Sequence, residues 1–195
     1  MSVIPEPAPP IVYVTFSAEI NPSTTESLIA VMAECATKAV KEVYLMLSSP
    51  GGGVMQGMNL YNVLRAMPFK LTTHNVGSVN SIGNAVFLAG STRYTCPHST
   101  FMFHGVGFDA RQGERLEEKN LREKLDGLLS DQNRIGSIIA EHTNLTQEEI
   151  ANLFREQQTK DAAYAVRCRI VHEIKDVQIP SGSTIISLVF QRKTN

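Results

Sequence analysis

The sequence has few cysteines, no long apolar run and almost no net charge. Its three cysteines, in a chain of 195 residues, are far apart and form no CxxC pair. This disfavours a disulfide scaffold or a zinc site and favours reduced thiols in a cytoplasmic protein. The apolar runs are too short to span a bilayer. A formal net charge of −1 gives no reason to expect nucleic acid or an anionic membrane as a partner.

The chain divides into a short proline-rich start and one domain. Residues 1–10 contain four prolines and are expected to form a flexible N-terminus. They lack the basic start and apolar core that define a secretory signal. Residues 11–195 are long enough for a single domain with a substantial core.

Strand, turn and helix signals alternate along the first half of the chain. Strands are expected at 11–16, 43–47, 71–76, around 93–95 and at 100–103, and helices at about 24–40 and 54–67. Further helices are expected at 146–156 and 162–169, and further strands at 170–174 and 184–190. This alternation predicts an α/β fold with a largely parallel sheet.

A charged segment from about 109 to 142 carries apolar residues at helical spacing. They are Leu116, Leu121, Leu125, Leu128, Leu129, Ile135, Ile138 and Ile139. The spacing predicts one long helix with a narrow apolar stripe. It is either an ordinary surface helix or, since a small domain cannot easily cover the whole stripe, a helix that packs against another subunit.

The most informative stretch places Ser81 between Gly77 and Gly83, after one apolar run, and His104 at the end of a later one. A serine hydroxyl becomes an effective nucleophile when an adjacent base takes its proton and N–H groups receive the oxyanion. A serine at a strand-to-helix turn has such N–H groups beside it, that of Ile82 among them. On the pattern alone, a helix cap at Ser81 and a structural role for His104 are the commoner interpretations. His74 and His142 are expected to be structural.

Several motifs together are more specific than this pair. They are Ser49-Pro-Gly-Gly52, Gly77-Ser-Val-Asn-Ser81-Ile-Gly83, Leu88-Ala-Gly90, Pro97-His-Ser and Phe101-Met-Phe-His104. In order and spacing they resemble the proteolytic subunit family of the Clp protease, over about residues 12–174. The resemblance implies an α/β fold of the ClpP/crotonase type, with repeated β-β-α units. It also implies that the segment at about 109–142 forms a protruding handle helix.

The resemblance also implies a chemistry. Ser81 would be the nucleophile and His104 the general base of a serine endopeptidase, with the N–H groups of Gly52 and Ile82 as oxyanion donors. The substrate would be a peptide or an unfolded protein, and no cofactor or metal is implied. The chain would assemble into a homo-oligomeric ring, two rings would interlock through the handle, and an AAA+ unfoldase could be the partner.

One position departs from the family pattern. The column of the family's catalytic aspartate falls on Gln157, and the nearest carboxylate is Asp161. Asp161 precedes Ala162-Ala-Tyr-Ala and is also a good helix N-cap. Asp161 is therefore either the third catalytic residue or a cap.

Two alternatives to an active peptidase stay open. Gln157 at the aspartate column allows a catalytically weak or silent ring subunit. A crotonase-like acyl-CoA enzyme is less favoured, because such enzymes usually use glutamates and none lies near the turns at Gly52 and Ser81.

Overall fold

A computed structural model describes residues 10–108, 115 and 117–190. Most of the proline-rich start and part of the predicted handle, with Leu116, lie outside the described residues. The strands are β1 Ile11–Ser17, β2 Glu42–Ser49, β3 Lys70–Asn80, β4 Thr92–Thr95, β5 Thr100–Met102, β6 Thr159–Lys160, β7 Glu173–Ile174 and β8 Thr184–Leu188. The helices are α1 Pro22–Thr37, α2 Val54–Ala66, α3 Gly83–Leu88, α4 Glu118–His142, α5 Gln147–Glu156 and α6 Ala162–Arg167.

The strands form one sheet in the order β6-β5-β3-β2-β1-β8, and β4 joins β3 to β7. The pairings are parallel except that between β5 and β6. Alternate residues Val43, Leu45 and Leu47 of β2 are completely buried, and Met46 between them is almost so, as in a strand covered on both faces. The predicted α/β fold with a largely parallel sheet is confirmed.

Strand β3 is longer than the sequence predicts, because it pairs with two different strands on one side. Its first half pairs with β4, whereas Ser78, Val79 and Asn80 pair with β5. The strand therefore runs through Gly77, beyond the end predicted at 76, and ends immediately before Ser81. Since β3 and β5 are parallel neighbours, the residues that follow them emerge at the same edge of the sheet.

Helix α4 is covered along only half of its length. Ile135, Ile138 and Ile139 are buried in the core, whereas the exposed fractions of Leu121, Leu125 and Leu129 are 45%, 51% and 44%. The apolar stripe of the sequence is therefore real, and its N-terminal half faces solvent in the single chain. Within the described residues, no helix is long and apolar enough to cross a membrane.

The C-terminal tail completes one edge of the sheet. Strand β8 pairs in parallel with β1, and Ile186 and Leu188 pack against the core. The strand predicted at 170–174 is shorter in the structure, since only Glu173 and Ile174 pair with β4. Ile170 and Val171 are nevertheless buried, and this burial explains the apolar run in the sequence.

Candidate active site

Ser81 occupies the single residue between the end of β3 and Ile82, the N-cap of α3. Its backbone has a φ of 57°, a left-handed conformation that typically costs a non-glycine residue about 1–3 kcal/mol. A hydrogen bond of 2.9 Å from its N–H to the carbonyl oxygen of Met102 in β5 supports this conformation. A side chain at Gly51 would not fit, because a Cβ there would lie 2.6 Å from the Cβ of Ser81 and φ is +95°. Ser81 therefore lies in a tight turn that packs against Gly51.

His104 lies two residues beyond β5, and its backbone is fixed on both sides. The N–H of Phe103 donates to Gln158 O at 3.2 Å, and that of Gly105 donates to Phe154 O at 3.1 Å. The imidazole Nδ1 lies 2.7 Å from the carbonyl oxygen of Gly105. Because a carbonyl oxygen only accepts, Nδ1 must carry the proton in this contact. The other ring nitrogen, Nε2, is then the unprotonated one in the neutral ring, as a general base requires.

The backbone N–H groups of Gly52 and Ile82 have no hydrogen-bond acceptor among the described residues. The N–H of Ile20 donates to Gly51 O at 2.7 Å, and that of Gly53 donates to Ile20 O at 2.8 Å. In such a parallel bridge, the N–H of the middle residue, Gly52, points away from Ile20. Ile82, the N-cap of α3, lies at the helix end where N–H groups lack intrahelical acceptors. Both groups can therefore bond to a bound ligand.

A cleft of about 120 Å³ brings these groups together. Ser81, His104, Gly52 and Ile82 all line it. The rest of its wall is mainly apolar and comes from Val54, Phe103, Gly105, Val106, Gly107, Ile135, Ile139 and Phe154. A serine hydroxyl, an imidazole and two N–H groups in one cleft are the groups that acyl transfer requires.

Among the described residues, none of those that line this cleft carries a carboxylate. Asp161 is exposed, is the N-cap of α6, and accepts a hydrogen bond of 2.7 Å from the N–H of Tyr164. Gln157 is exposed, ends α5 with a φ of 52°, and donates its N–H to Leu153 O. Neither residue is among those that line the cleft. A catalytic role for Asp161 stays a prediction, and the contact of His104 Nδ1 in the structure is with a backbone carbonyl.

Two residues of the site have roles in the structure that sequence reasoning did not assign to them. Gly105 supplies the carbonyl oxygen at His104, a role that any residue type could fill, so the sequence carries no signal for it. Gly51 belongs to the motif Ser49-Pro-Gly-Gly52 of the sequence analysis, but only the structure shows that it accommodates the side chain of Ser81.

Two other histidines, His74 and His142, have structural partners. His74 is fully buried, with Nδ1 2.6 Å from the hydroxyl of Tyr44 and Nε2 3.0 Å from Lys175 O. Burial lowers the pKa of His74. His142 bonds to the hydroxyl of Tyr61 at 2.8 Å. Among the described residues, no group of three or more His, Cys, Asp or Glu side chains is arranged to hold a metal ion.

Comparison with known proteins matches residues 11–178 to a family described as Clp protease. Two similar curated proteins are both named ATP-dependent Clp protease proteolytic subunit 2. The one from Corynebacterium efficiens is 29% identical over 121 residues, which cover 59% of this chain and 57% of the relative. The one from Corynebacterium glutamicum is 27% identical over 138 residues, which cover 65% of each. The chain therefore matches less than two thirds of the length of either relative.

Proposed function

Because the chain belongs to the Clp protease family, we propose that it hydrolyses peptide bonds, with Ser81 as the nucleophile and His104 as the general base. The observation that supports this proposal best is the common cleft of Ser81, His104, Gly52 and Ile82. These residues come from three separate parts of the sequence, and an ordinary helix cap at Ser81 would not require the other three.

The proposed reaction follows from which ring nitrogen of His104 carries the proton. With Nδ1–H bonded to Gly105 O, Nε2 takes the proton of the Ser81 hydroxyl as its oxygen attacks the substrate carbonyl carbon. The N–H groups of Gly52 and Ile82 bond to the oxyanion of the tetrahedral intermediate. His104 then passes its proton to the leaving amine, and a water molecule releases the acyl group by the same steps in reverse order.

We propose that a Ser–His dyad, oriented by the carbonyl of Gly105, carries out this reaction. In a related triad, a neutral amide in the third position lowers turnover by about 10⁴, because it holds the wrong histidine tautomer. Gly105 O instead holds the required tautomer, so the loss should be smaller. A carbonyl stabilises the imidazolium less than a carboxylate does, so this dyad should be slower than a full triad.

Assembly is the second part of the proposal. The exposed side chains of Leu121, Leu125 and Leu129 on α4 would be buried against further copies of the chain, in a ring and then in a double ring. The cleft would then open into a chamber that admits peptides and unfolded proteins. The names of both relatives include ATP dependence, and we extend this to an AAA+ unfoldase partner here. The three free cysteines suit a reducing compartment such as the cytoplasm.

A fluorophosphonate probe, which reacts with activated serines, tests the proposal. The wild-type chain should be labelled, and Ser81→Ala should abolish the labelling. His104→Ala should also abolish it while the assembly, measured by size-exclusion chromatography, stays intact. An assembled wild-type ring that does not react would refute the peptidase and leave the silent ring subunit.

A further inference from the structure

Asn84 in α3 contacts the turn at Ser81 and Ile82, called here the nucleophile turn, and is only 2% exposed. Its side-chain nitrogen Nδ2 lies 3.0 Å from the carbonyl oxygen of Ser81 and 2.8 Å from that of Met102. Both partners are carbonyl oxygens, which only accept hydrogen bonds, so the orientation of the amide is determined. One side chain therefore joins the nucleophile turn to the strand that leads to His104.

The bond to Ser81 O acts on the peptide group that carries an oxyanion donor. The carbonyl of Ser81 and the N–H of Ile82 belong to the same planar trans peptide and point in opposite directions. A donor that holds the Ser81 oxygen on one side therefore restrains the direction of the Ile82 N–H on the other, and the Asn84 side chain adds a second donor to the Asn84 backbone N–H. The bond also polarises this peptide, which strengthens its N–H as a donor.

These contacts are poorly explained by stability alone. Without the Asn84 side chain, Ser81 O would still accept from the Asn84 backbone N–H at 3.0 Å. Met102 O would still accept from the Ser81 N–H at 2.9 Å. The amide oxygen of Asn84 is itself buried and has no hydrogen-bond partner among the described residues, an arrangement that disfavours folding. A small apolar side chain would thus serve the fold about as well.

We propose that Asn84 is a positioning residue that holds the Ser81–Ile82 peptide so that the Ile82 N–H points at the oxyanion. This inference rests on the proposed peptidase function and adds a residue to it. The Nδ2 group acts through the peptide and does not touch the substrate.

The experiment compares Asn84→Ala with the wild type on a fluorogenic peptide. Loss of an oxyanion donor lowers kcat by about 10²–10³, so loss of its orientation should lower kcat roughly tenfold or more while KM stays within about twofold. The rate of fluorophosphonate labelling should fall with kcat. The affinity for a peptide boronate, which forms a tetrahedral adduct, should fall in parallel, whereas the melting temperature should change little.

Two further variants separate positioning from packing. A serine in a helix can donate to the carbonyl three residues earlier, which for position 84 is Ser81 O, so Asn84→Ser should recover part of kcat. Thr73→Val is a matched control, because Thr73 is also buried and bonds to a carbonyl of α3, that of Phe87, at 2.8 Å. This control should leave kcat unchanged.

The outcomes distinguish the inference from the proposed function. A wild-type chain that neither labels nor cleaves peptides would refute both. If the wild type is active and Asn84→Ala has the wild-type kcat, only the role of Asn84 is refuted. The role is also refuted if the kcat of Asn84→Ala falls only together with the melting temperature, or if Thr73→Val has the same effect.

Discussion

Arg93 is a buried arginine with no carboxylate partner among the described residues, and it provides a quantitative test of what stabilises the fold. Arg93 is 6% exposed, and its guanidinium donates to four backbone carbonyls. Nε bonds to Ile170 O at 2.8 Å, Nη1 to Gly90 O at 3.1 Å, and Nη2 to His142 O at 2.9 Å and Arg169 O at 3.1 Å. These carbonyls belong to the C-terminal ends of α3, α4 and α6 or follow them, where helix dipoles concentrate partial negative charge. Helix ends therefore replace the missing carboxylate.

The substitution Arg93→Met keeps most of the stem and removes all four donors. Each hydrogen bond to a charged group contributes about 1.5–3 kcal/mol, but burial of the charge has cost several kcal/mol, which the variant recovers. Each buried carbonyl left without its donor costs about 1–3 kcal/mol, so after the recovered cost of burying the charge we expect the free energy of unfolding to fall by roughly 3–5 kcal/mol. For a domain of this size, that corresponds to a fall in melting temperature of roughly 6–20 °C. Arg93→Lys keeps the charge with fewer donors and should give an intermediate value.

Urea and thermal unfolding at one fixed protein concentration provide the measurement, since assembly would otherwise shift the midpoint. Arg65→Met serves as the control, because Arg65 is exposed and a surface change is usually worth less than about 0.5 kcal/mol. A loss below about 1 kcal/mol for Arg93→Met would refute the reasoning that the four carbonyls depend on this guanidinium.

Three further predictions concern other parts of the molecule. Asp161→Asn should leave both peptidase rate and melting temperature nearly unchanged, because asparagine caps a helix as well as aspartate does and the Asp161 carboxylate bonds to a backbone N–H of α6. Replacing Leu125 and Leu129 by glutamate should dissociate the assembly on size-exclusion chromatography, since charges would face the proposed interface. Stability to urea should fall as the pH drops through about 6.5, the unperturbed histidine value. Burial lowers the folded-state pKa of His74, so the unfolded state binds more protons there, and His74→Gln should reduce the slope.

Each of these predictions has an outcome that contradicts it. A many-fold loss of rate in Asp161→Asn at unchanged stability would identify a catalytic triad. An unchanged elution volume for the double glutamate variant would argue against α4 as an interface; Ser130→Glu, on the opposite side of the helix by its periodicity, is the control. The same pH slope with and without His74 would assign the pH dependence to other groups, such as His142 and His172, whose pKa values are also lowered by burial.

The predicted elements agree with the structure where local pattern determines them. The strand predicted at 43–47 and the helix predicted at 146–156, which begins with Thr146 and Glu149 bonded reciprocally, depend on residues a few positions apart. The predicted end of β3, at residue 76, was wrong. The strand continues because Ser78 to Asn80 pair with β5, whose residues come about twenty positions later. The helix at 162–169 ends earlier, at Arg167.

The sequence by itself determined the α/β class, the apolar stripe of α4 and the candidates Ser81, His104, Gly52 and Ile82, since periodicity and motif spacing are written in residue order. Only the tertiary structure decided that these four share one cleft, that Gly105 O contacts the second nitrogen of His104, and that Asn84 bonds behind Ser81. Such contacts depend on backbone conformation and on which strands lie side by side, and two of them use backbone carbonyls, which every residue possesses. The residue types therefore carry no signal for them, and the distances appear only once the sheet has set its strands side by side.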